Sequence, residues 1–533
     1  MESIVKNDEK SAEINSANLI TALKNRITEL ETLVKYYEEQ FRLAKHRQFG
    51  SSSEKSTHDE QISLFNEAEA TAQADVPEPE LVEVEKHYRK HKKHKHVVGE
   101  NLPEDIPVER VEHTLPEAEQ KCTECGGALH VMGRESRREL KIIPAQVKVI
   151  EHISNVYSCR SCESNNDHTA IVKAPMPEPL IKGSYASAES VAHIIEQKYV
   201  MGVPLYRQEQ EWNRNGVMLS RQTMSNWLIR CAEDWLEMLY KRMRTKLLEH
   251  EVLHADETTL QVLHEPEKKA TSNSYMWVYR TSGDSKTPIV LYEYKPDRGG
   301  KHAKEFLKGY VTEPGSAKYL HTDGYSGYRD ISEDIVIVGC WAHLRRKFHE
   351  ALKSLPKDHQ KNSTADIGMW YCDALFRMER KYADYTAEKR YKARMKYSLP
   401  LAEDFLLWAE SVNALPKSLI GQALNYLREQ WIYLKNVYLD GRLEFSNNRI
   451  ERSIKPFVIC RKNFLFANTA KGAKSSAIIY SLLESAKENL LRPFEYFVWL
   501  FETIPNTPTS KIDDLLPFSD KIPDFCRVPK KDM

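Results

Sequence analysis

The order of β-rich and helical runs between residues 250 and 350 limits this chain more than any other feature of its sequence. VLHADETTLQVL, YMWVYRT and TPIVLYEY follow one another with only polar or turn-prone segments between them. Rich in β-branched and aromatic residues, they predict three consecutive antiparallel strands. A helical stretch around residues 304–308 comes next, and AKYLHTDGYSGY then supplies a fourth strand whose last residue is an Asp followed by Gly. DIVIVGC predicts a fifth strand, and AHLRRKFHEAL a basic amphipathic helix. Three antiparallel strands followed by strands alternating with helices leave few ways to cover both faces of one sheet.

That order matches a ribonuclease H-like α/β core. In such a sheet Asp256 lies on the first strand and Asp323 at the end of the fourth, side by side if those strands are central neighbours. Two divalent cations about 3.5–4 Å apart suit phosphoryl transfer, since one activates the attacking oxygen while the other stabilises the leaving one. Such a pair needs bridging and flanking carboxylates, and Glu451 in SNNRIERSIKPF is the candidate for a third. Ser446 or Asn447 can cap a helix there, with Ile450 and Ile454 on its buried stripe, Glu451 at the margin, and Arg449, Arg452 and Lys455 on neighbouring exposed faces. Taken alone, Glu451 reads more simply as a surface partner of Lys455 four residues on, and a strand-end Asp as a turn residue.

The N-terminal half is built from different material. Ile20, Leu23, Ile27, Leu30, Val34, Tyr37 and Phe41 recur in alternating steps of three and four, the a/d pattern of a coiled coil. Flanked by Lys24, Arg26, Glu29 and Glu31, this stripe predicts a zipper pairing two chains, or else an amphipathic helix packed on its own protein. In either case the helix stops near Gly50. Residues 51–105 read as a disordered charged linker, acidic in DVPEPELVEVEK and then basic in HYRKHKKHKH. The basic run can touch phosphates, its histidines can bind metal, or it is a solvated tether. Cys122 and Cys125, then Cys159 and Cys162, form two C-x-x-C knuckles with 33 residues between them. Four thiolates so arranged suit one tetrahedral Zn²⁺, Gly126 and Gly127 permit the tight turn, and the β-rich KIIPAQVKVIEHISNVYSC would join the knuckles as in a zinc ribbon.

From about residue 185 the pattern turns helical, with Val191, Ile194, Ile195 and Tyr199 at helical spacing. Residues 205–212 form a second helical stretch after Pro204, Asn215 and Gly216 a turn, and Ser220 the cap of a helix running through Trp227. This helix-turn-helix outline can present Arg221, Gln222 and Ser225 to base edges in a DNA major groove, although a purely structural αα-hairpin shares it.

Bulk properties set outer bounds. At 533 residues and 41% hydrophobic, the chain exceeds what one core usually supports, so several domains are expected. No apolar run approaches the roughly 18–20 residues of a membrane span, and MESIVKNDEK lacks a signal-peptide core, which argues for a cytoplasmic protein. Nine cysteines, four of them in C-x-x-C pairs, fit a reduced compartment and a metal site rather than a disulfide framework. The 77 basic and 77 acidic residues cancel, so affinity for nucleic acid has to come from local clusters.

Taken together, these motifs resemble the IS66 family of bacterial insertion-sequence transposases across nearly the whole chain. The resemblance rests on RQFGSSSEKS after the zipper, the paired knuckles, ADET around Asp256 and TDGYSGY at Asp323. It continues in GCWAHLRRKF over residues 339–348 and NNRIERSIKPFVICRKNFLFANTAKGA around Glu451. It implies a DDE transposase in which Asp256, Asp323 and Glu451 form the catalytic triad and hold two Mg²⁺ or Mn²⁺ ions, while the four cysteines hold one structural Zn²⁺. The domain order it implies is a zipper helix over 1–50, the linker over 51–105, a zinc-binding domain over 106–180 and a helical DNA-binding segment over 181–248. The core would occupy 249–350 and 441–500, interrupted by a helical insertion over 351–440 and followed by a tail over 501–533. The family commonly has Asp-Asn-Asn before the Glu helix, where this chain has Ser446, Asn447 and Asn448. Any metal or DNA role of that Asp is therefore lost.

Several cations are candidates to grip the DNA backbone: His343, Arg345, Arg346 and Lys347 after the fifth strand, Arg452 and Lys455 beside Glu451, and Arg461 and Lys462 in CRKNFLF. For the first four, a solvated face beside a core of Trp341 and Phe348 is the alternative. Ile478, Ile479, Leu482, Leu483 and Ala486 trace an amphipathic scaffold helix. The expected reaction is hydrolysis at the ends of an insertion sequence, then attack of the freed 3′-hydroxyl on target DNA. Expected partners are terminal inverted repeats, target DNA, a second copy of the chain or a higher assembly, and small accessory transposition proteins, with the protein nucleoid-associated when on DNA. Two rival readings use the same residues: a zinc-containing DNA-binding regulator or inactive copy, and a ribonuclease H-like nuclease that cleaves without joining.

Overall fold

The computed structural model describes residues 146–158, 171–311, 317–329 and 331–529, with scattered positions nearer the N-terminus: Lys24, Arg26, Ile27, Leu30, Val34, Tyr37 and the strand residues 82–84 and 135–137. Ile27, Leu30, Val34 and Tyr37 are helical, and this part of the zipper stripe is exposed in the single chain. Ile20, Leu23 and Phe41 lie outside the described residues. Residues 53–150 form a unit of their own. Within it Val82–Val84 pairs antiparallel with Glu135–Arg137, so part of the expected tether is a strand. Its Val-Glu-Val alternation suits that conformation. Cys122, Cys125, Cys159 and Cys162 lie outside the described residues. Among the described residues of the β-rich connection expected between the knuckles, 146–155 form no strand and Val156–Ser158 pairs with Ile171–Lys173.

The larger unit is organised by a six-stranded sheet: β1 (Val252–His264), β2 (Asn273–Thr281), β3 (Val290–Lys295), β4 (Lys318–Thr322), β5 (Ile335–Gly339) and β6 (Ala467–Thr469). Its order is β3-β2-β1-β4-β5, antiparallel from β3 to β1 and parallel from β1 to β5. The short β6 runs parallel to the far end of β1. This is the order expected of a ribonuclease H-like core, with β1 and β4 as central neighbours.

Before the sheet come α1 (Ala188–Ile195), α2 (Leu205–Arg214), α3 (Arg221–Cys231) and α4 (Glu237–Glu249). Ser220 caps α3 by accepting from the Thr223 amide at 3.1 Å, and Gly216 makes the preceding turn at φ +79°, a backbone angle that favours glycine. α5 (Gly300–Phe306) follows β3, and α6 (Trp341–Lys353) follows β5. α7 (Thr364–Lys381), α8 (Leu399–Ser411) and α9 (Leu419–Leu434) come between α6 and the final helices, α10 (Asn448–Phe464), α11 (Ala470–Glu488) and α12 (Pro493–Thr503). Trp341, Leu344 and Phe348 of α6 build a second core with Leu375, Phe405 and Leu427 of the helices that follow, which leaves the basic face of α6 outward. No helix among the described residues is long and apolar enough to cross a membrane.

Two regions depart from expectation. α11 is not amphipathic: it is buried around most of its circumference, and its serines answer the free edge of β3. Ser481 Oγ accepts from the Tyr292 amide at 2.8 Å and Ser485 Oγ from the Val290 amide at 2.9 Å, which satisfies backbone groups that no further strand pairs with. On the opposite edge, Asn436 Nδ2 donates to the Ile337 carbonyl of β5 at 2.8 Å. Residues 501–529 are not a loose tail, because Leu515, Leu516, Ile522 and Cys526 are buried and Arg527 bridges back to Leu491. Apolar residues spaced through turns rather than along a helix give no periodic signal.

Glu293 of β3 packs under α4 with Oε2 lacking a hydrogen-bond partner and Lys295 Nζ 3.2 Å from Oε1. Burial pushes its pKa up to about 7 despite Lys295. The folded protein thus keeps a proton that the unfolded chain releases above its usual value of 4.5, so this contribution to stability is full below that pH and is lost as the pH rises towards 7. Glu293→Gln should raise stability near pH 8 by on the order of 1–2 kcal/mol and change little near pH 4.5. Paired thermal melts at the two pH values read the difference, and an equal shift at both would contradict it.

Candidate active site

Parallel pairing of β1 with β4 ends at His254 opposite His321. Two residues further along each chain, on the same face, come Asp256 and Asp323, so the register carries both carboxylates forward on strands about 4.8 Å apart. Asp323 stands just past the end of β4 rather than on it. Its Oδ1 accepts from the Tyr325 amide at 2.9 Å, and its carbonyl accepts from Tyr426 Oη at 3.0 Å. Gly324 turns at φ +96°, and a Cβ there would approach Gln430 Oε1 to 3.0 Å, so both conformation and space call for glycine.

The neighbouring Glu257 points to the opposite face, where its side chain is fully buried. Arg298 Nε donates to its Oε1 at 2.7 Å and Tyr328 Oη to its Oε2 at 2.6 Å, while the Arg298 guanidinium lies 3.9 Å from the centre of the Tyr325 ring. Glu257 thereby ties β1 to the turn that follows Asp323. The only hint of this in the sequence is a second acid inside a strand, beside the first. Asp256 feels the crowding: burial, then Asp323 and Glu257, with Glu451 adding to them, hold its carboxyl well above the usual carboxylate range.

Glu451 sits in the first turn of α10. It does not pair with Lys455. Instead its carboxylate faces the start of α6, with His343 Nε2 3.8 Å from Oε1 and Arg346 Nη2 3.5 Å from Oε2. Oε1 is buried and accepts no hydrogen bond. Burial and Arg346 lower the pKa of His343, against the pull of Glu451 and Asp323. The cap expected of Ser446 or Asn447 is not made. Asn447 is the N-cap residue, but its side chain does not close the helix. It turns into the sheet, where Oδ1 lies 2.7 Å from His254 Nδ1 and Nδ2 donates to the Ala255 carbonyl at 3.2 Å. A buried imidazole needs a partner, and that demand outweighs the cap.

The remaining candidates divide. Trp341 and Phe348 are core. Arg345 pairs with Asp373 of α7 at 2.8 Å, and Lys347 lies 5.1 Å from the Tyr426 ring centre, so both tie α6 to neighbouring helices. Arg461 donates to Thr258 Oγ1 at 3.2 Å and to Thr259, pinning α10 along β1. Arg452 and Lys462 are exposed and Lys455 is half-buried. Arg221 opens α3 with its amide on Glu209 Oε1 at 3.0 Å and its guanidinium 4.0 Å from the same carboxylate. Gln222 beside it is exposed and Ser225 half-buried.

Among the described residues, no three His, Cys, Asp or Glu side chains converge closely enough to hold a metal ion as they lie. Asp323 lies near enough to raise the pKa of Asp256, as Glu451 does to a smaller degree, while the Glu451 carboxylate faces His343 and Arg346. The donor set nevertheless fits a divalent cation in its chemistry. All three are hard carboxylate donors, one with a bare buried oxygen, and the raised pKa of Asp256 marks a site short of positive charge.

Residues 183–475, more than half of the chain, match the family model described as the transposase IS66 family. The chain belongs to that family. In this IS66 transposase, residues 119–163 match the zinc-finger binding domain of transposase IS66, a span that includes all four knuckle cysteines. Residues 36–111 match a model described as transposase C of IS166 homeodomain, and residues 481–518 the IS66 C-terminal element. Protein y4qI of Sinorhizobium fredii is 31% identical over 78% of this chain and 76% of its own length, and y4jD of the same organism 28% identical over 79% and 81%. Among solved structures, the Drosophila P element transposase strand transfer complex matches 62% of this chain and 94% of its own at 12% identity, with a TM-score of 0.24. The Mos1 transposase paired-end complex matches 51% and 83% at 12% identity, with a TM-score of 0.13. Likenesses this slight carry no weight for the fold. Family membership makes the chain a DDE transposase, a class that works with divalent metal.

Burial and the neighbouring acids disfavour the ionised carboxyl of Asp256, so a divalent cation bound there would compete with a proton and bind more tightly as the pH rises. The increase in melting temperature caused by Mg²⁺ should therefore be larger at the more alkaline of two pH values than at the more acidic one. It should disappear in Asp256→Asn. An increase that ignores both pH and that substitution would place the ion elsewhere.

Proposed function

We propose that this IS66 transposase cuts the ends of an insertion sequence and joins them to target DNA at a site built from Asp256, Asp323 and Glu451. The β1–β4 register supports this reading, because it leads one carboxylate forward on β1 and a second just past the end of the adjacent β4, with the third on α10, which packs along β1. Two Mg²⁺ or Mn²⁺ ions held by these residues would supply Lewis acidity at the attacking and leaving oxygens. The chain's own residues set the stage. Glu257, through Arg298 and Tyr328, fixes the turn that follows Asp323. Arg346 and His343 hold Glu451 at the start of α6, where the Arg346 guanidinium also favours a phosphate. Arg452, Lys455 and Lys462 line α10 as contacts for the DNA backbone.

In the first step water attacks phosphorus at the transposon end, the P–O3′ bond breaks, and the leaving oxygen takes a proton to become a 3′-hydroxyl. In the second, that hydroxyl attacks a target phosphodiester, loses its proton, and displaces the target 3′-oxygen. No protein nucleophile takes part. Cys122, Cys125, Cys159 and Cys162 would bind one structural Zn²⁺, and Arg221, Gln222 and Ser225 on α3 would read the terminal repeats. The exposed stripe of Ile27, Leu30, Val34 and Tyr37 would pair two copies so that both ends are held together.

Labelled transposon ends incubated with target DNA and Mg²⁺ should yield cleaved and then joined products. Asp256→Asn and Asp323→Asn should lower both by about three orders of magnitude while still unfolding in one cooperative transition without Mg²⁺. Wild-type joining by either variant sinks the triad assignment, and cleavage without joining by the wild type favours the nuclease reading.

A further inference from the structure

We propose that His254, His321 and Asn447 form a buried positioning layer that sets the three carboxylates in register with one another. His254 and His321 are fully buried, and Asn447 is nearly so. Each precedes one acid by a fixed step: His254 lies two residues before Asp256, His321 two before Asp323, and Asn447 four before Glu451. Two residues along a strand return to the same face, and four along a helix return to the same side one turn on. On β1 this puts His254 on the face of Asp256, and His321 and the N-cap Asn447 stand in the matching places just before Asp323, past the end of β4, and Glu451, in the first turn of α10. This inference rests on the triad reading.

Its members are joined to each other. The two imidazoles stack across the β1–β4 pairing with ring centres 4.3 Å apart and planes 10° from parallel. Asn447 spans from α10 to β1 with both ends of its amide. Nδ2 donates to the Ala255 carbonyl, which leaves Oδ1 as the acceptor facing His254 and makes Nδ1–H of that ring the donor. His321 Nε2 accepts the Glu444 amide at 3.3 Å, which ties β4 to the segment leading into α10. The Asn447 amide donates to Cys340 Sγ at 3.1 Å. Cys340 immediately precedes α6, the helix whose His343 and Arg346 face Glu451. Elements that carry or hold each acid thus meet in one buried polar cluster. Apolar side chains of similar size would pack here without the penalty of burying polar groups, but they would lack hydrogen bonds that fail when a strand or helix shifts.

Such partners orient ligands rather than touching the reaction, and removing them typically weakens metal binding by about 10–100-fold. Two substitutions separate the hydrogen bond from mere packing. In His254→Asn the side-chain amide takes the place of Nδ1–H and keeps the bond to Asn447. In His254→Gln the amide sits at the Nε2 position and misses it, although the residue is equally polar. Binding of Mn²⁺ alone to the full chain, followed by paramagnetic resonance of the free ion, should stay within about threefold of wild type for the Asn variant and weaken about 10–100-fold for the Gln variant. The metal concentration giving half-maximal cleavage should shift in parallel while affinity for end DNA stays unchanged. Matching affinities in the two variants, whether both near wild type or both weakened, overturn the proposal. Asp256→Asn is the control. If it binds Mn²⁺ like wild type, the triad reading itself falls. If it loses the ion while the two variants at position 254 match each other, only the positioning role falls.

Discussion

The architecture depends on one pairing, the parallel ladder between β1 and β4. Because β1 is also the inner strand of the antiparallel meander, fixing its register to β4 fixes the whole sheet, and a shift of one residue would turn Asp256 to the opposite face. The hydrophobic pattern helps enforce that register, with Val252 and Leu253 buried opposite Tyr319 and Leu320. The stacked histidines add a directional element to it. The candidate triad is referred to this ladder: Asp256 and Asp323 extend it, Glu257 ties its far face to the turn after Asp323, and α10 is docked against it.

How α10 is docked explains why a helix interrupted by a proline can carry an acid to a defined place. Pro456 removes one backbone hydrogen bond from the helix interior. Side chains compensate along its length. Asn447 anchors its start to β1, the buried Arg280 of β2 reaches Ser453 Oγ at 2.6 Å in its middle, and Arg461 grips Thr258 near its end. Arg280 is itself paired with Glu488 of α11 at 2.8 Å, so the charge is not left alone in the interior. Three fastenings along one helix leave little freedom for Glu451 beyond rotation of its own side chain.

Much of this was legible in the sequence because the informative segments are periodic or punctuated. β-branched runs gave five strands in the right order, Asn215-Gly216 and Ser220 gave the turn and cap before α3, and Asp323-Gly324 marked the strand end. What escaped were side chains whose roles depend on partners distant along the chain. Arg461 reads as a DNA contact until Thr258, 203 residues away, is seen to take it. Asn447 reads as a cap until His254, 193 residues away, claims its oxygen. Glu451 reads as a partner of Lys455, which is adjacent in sequence terms, yet faces a helix more than a hundred residues earlier. α11 reads as amphipathic because serine counts as polar in any hydropathy pattern, whereas Ser481 and Ser485 turn their hydroxyls to the buried edge of β3.

Those two serines have a consequence for assembly. With the β3 edge occupied by hydroxyls from α11 and the β5 edge met by Asn436, the sheet offers no open ladder at either margin for a strand from another molecule. This six-stranded sheet is therefore closed to extension by a strand from another molecule. Any contact made through this core would run through side-chain surfaces, which form and release without unzipping the backbone pairing of the sheet.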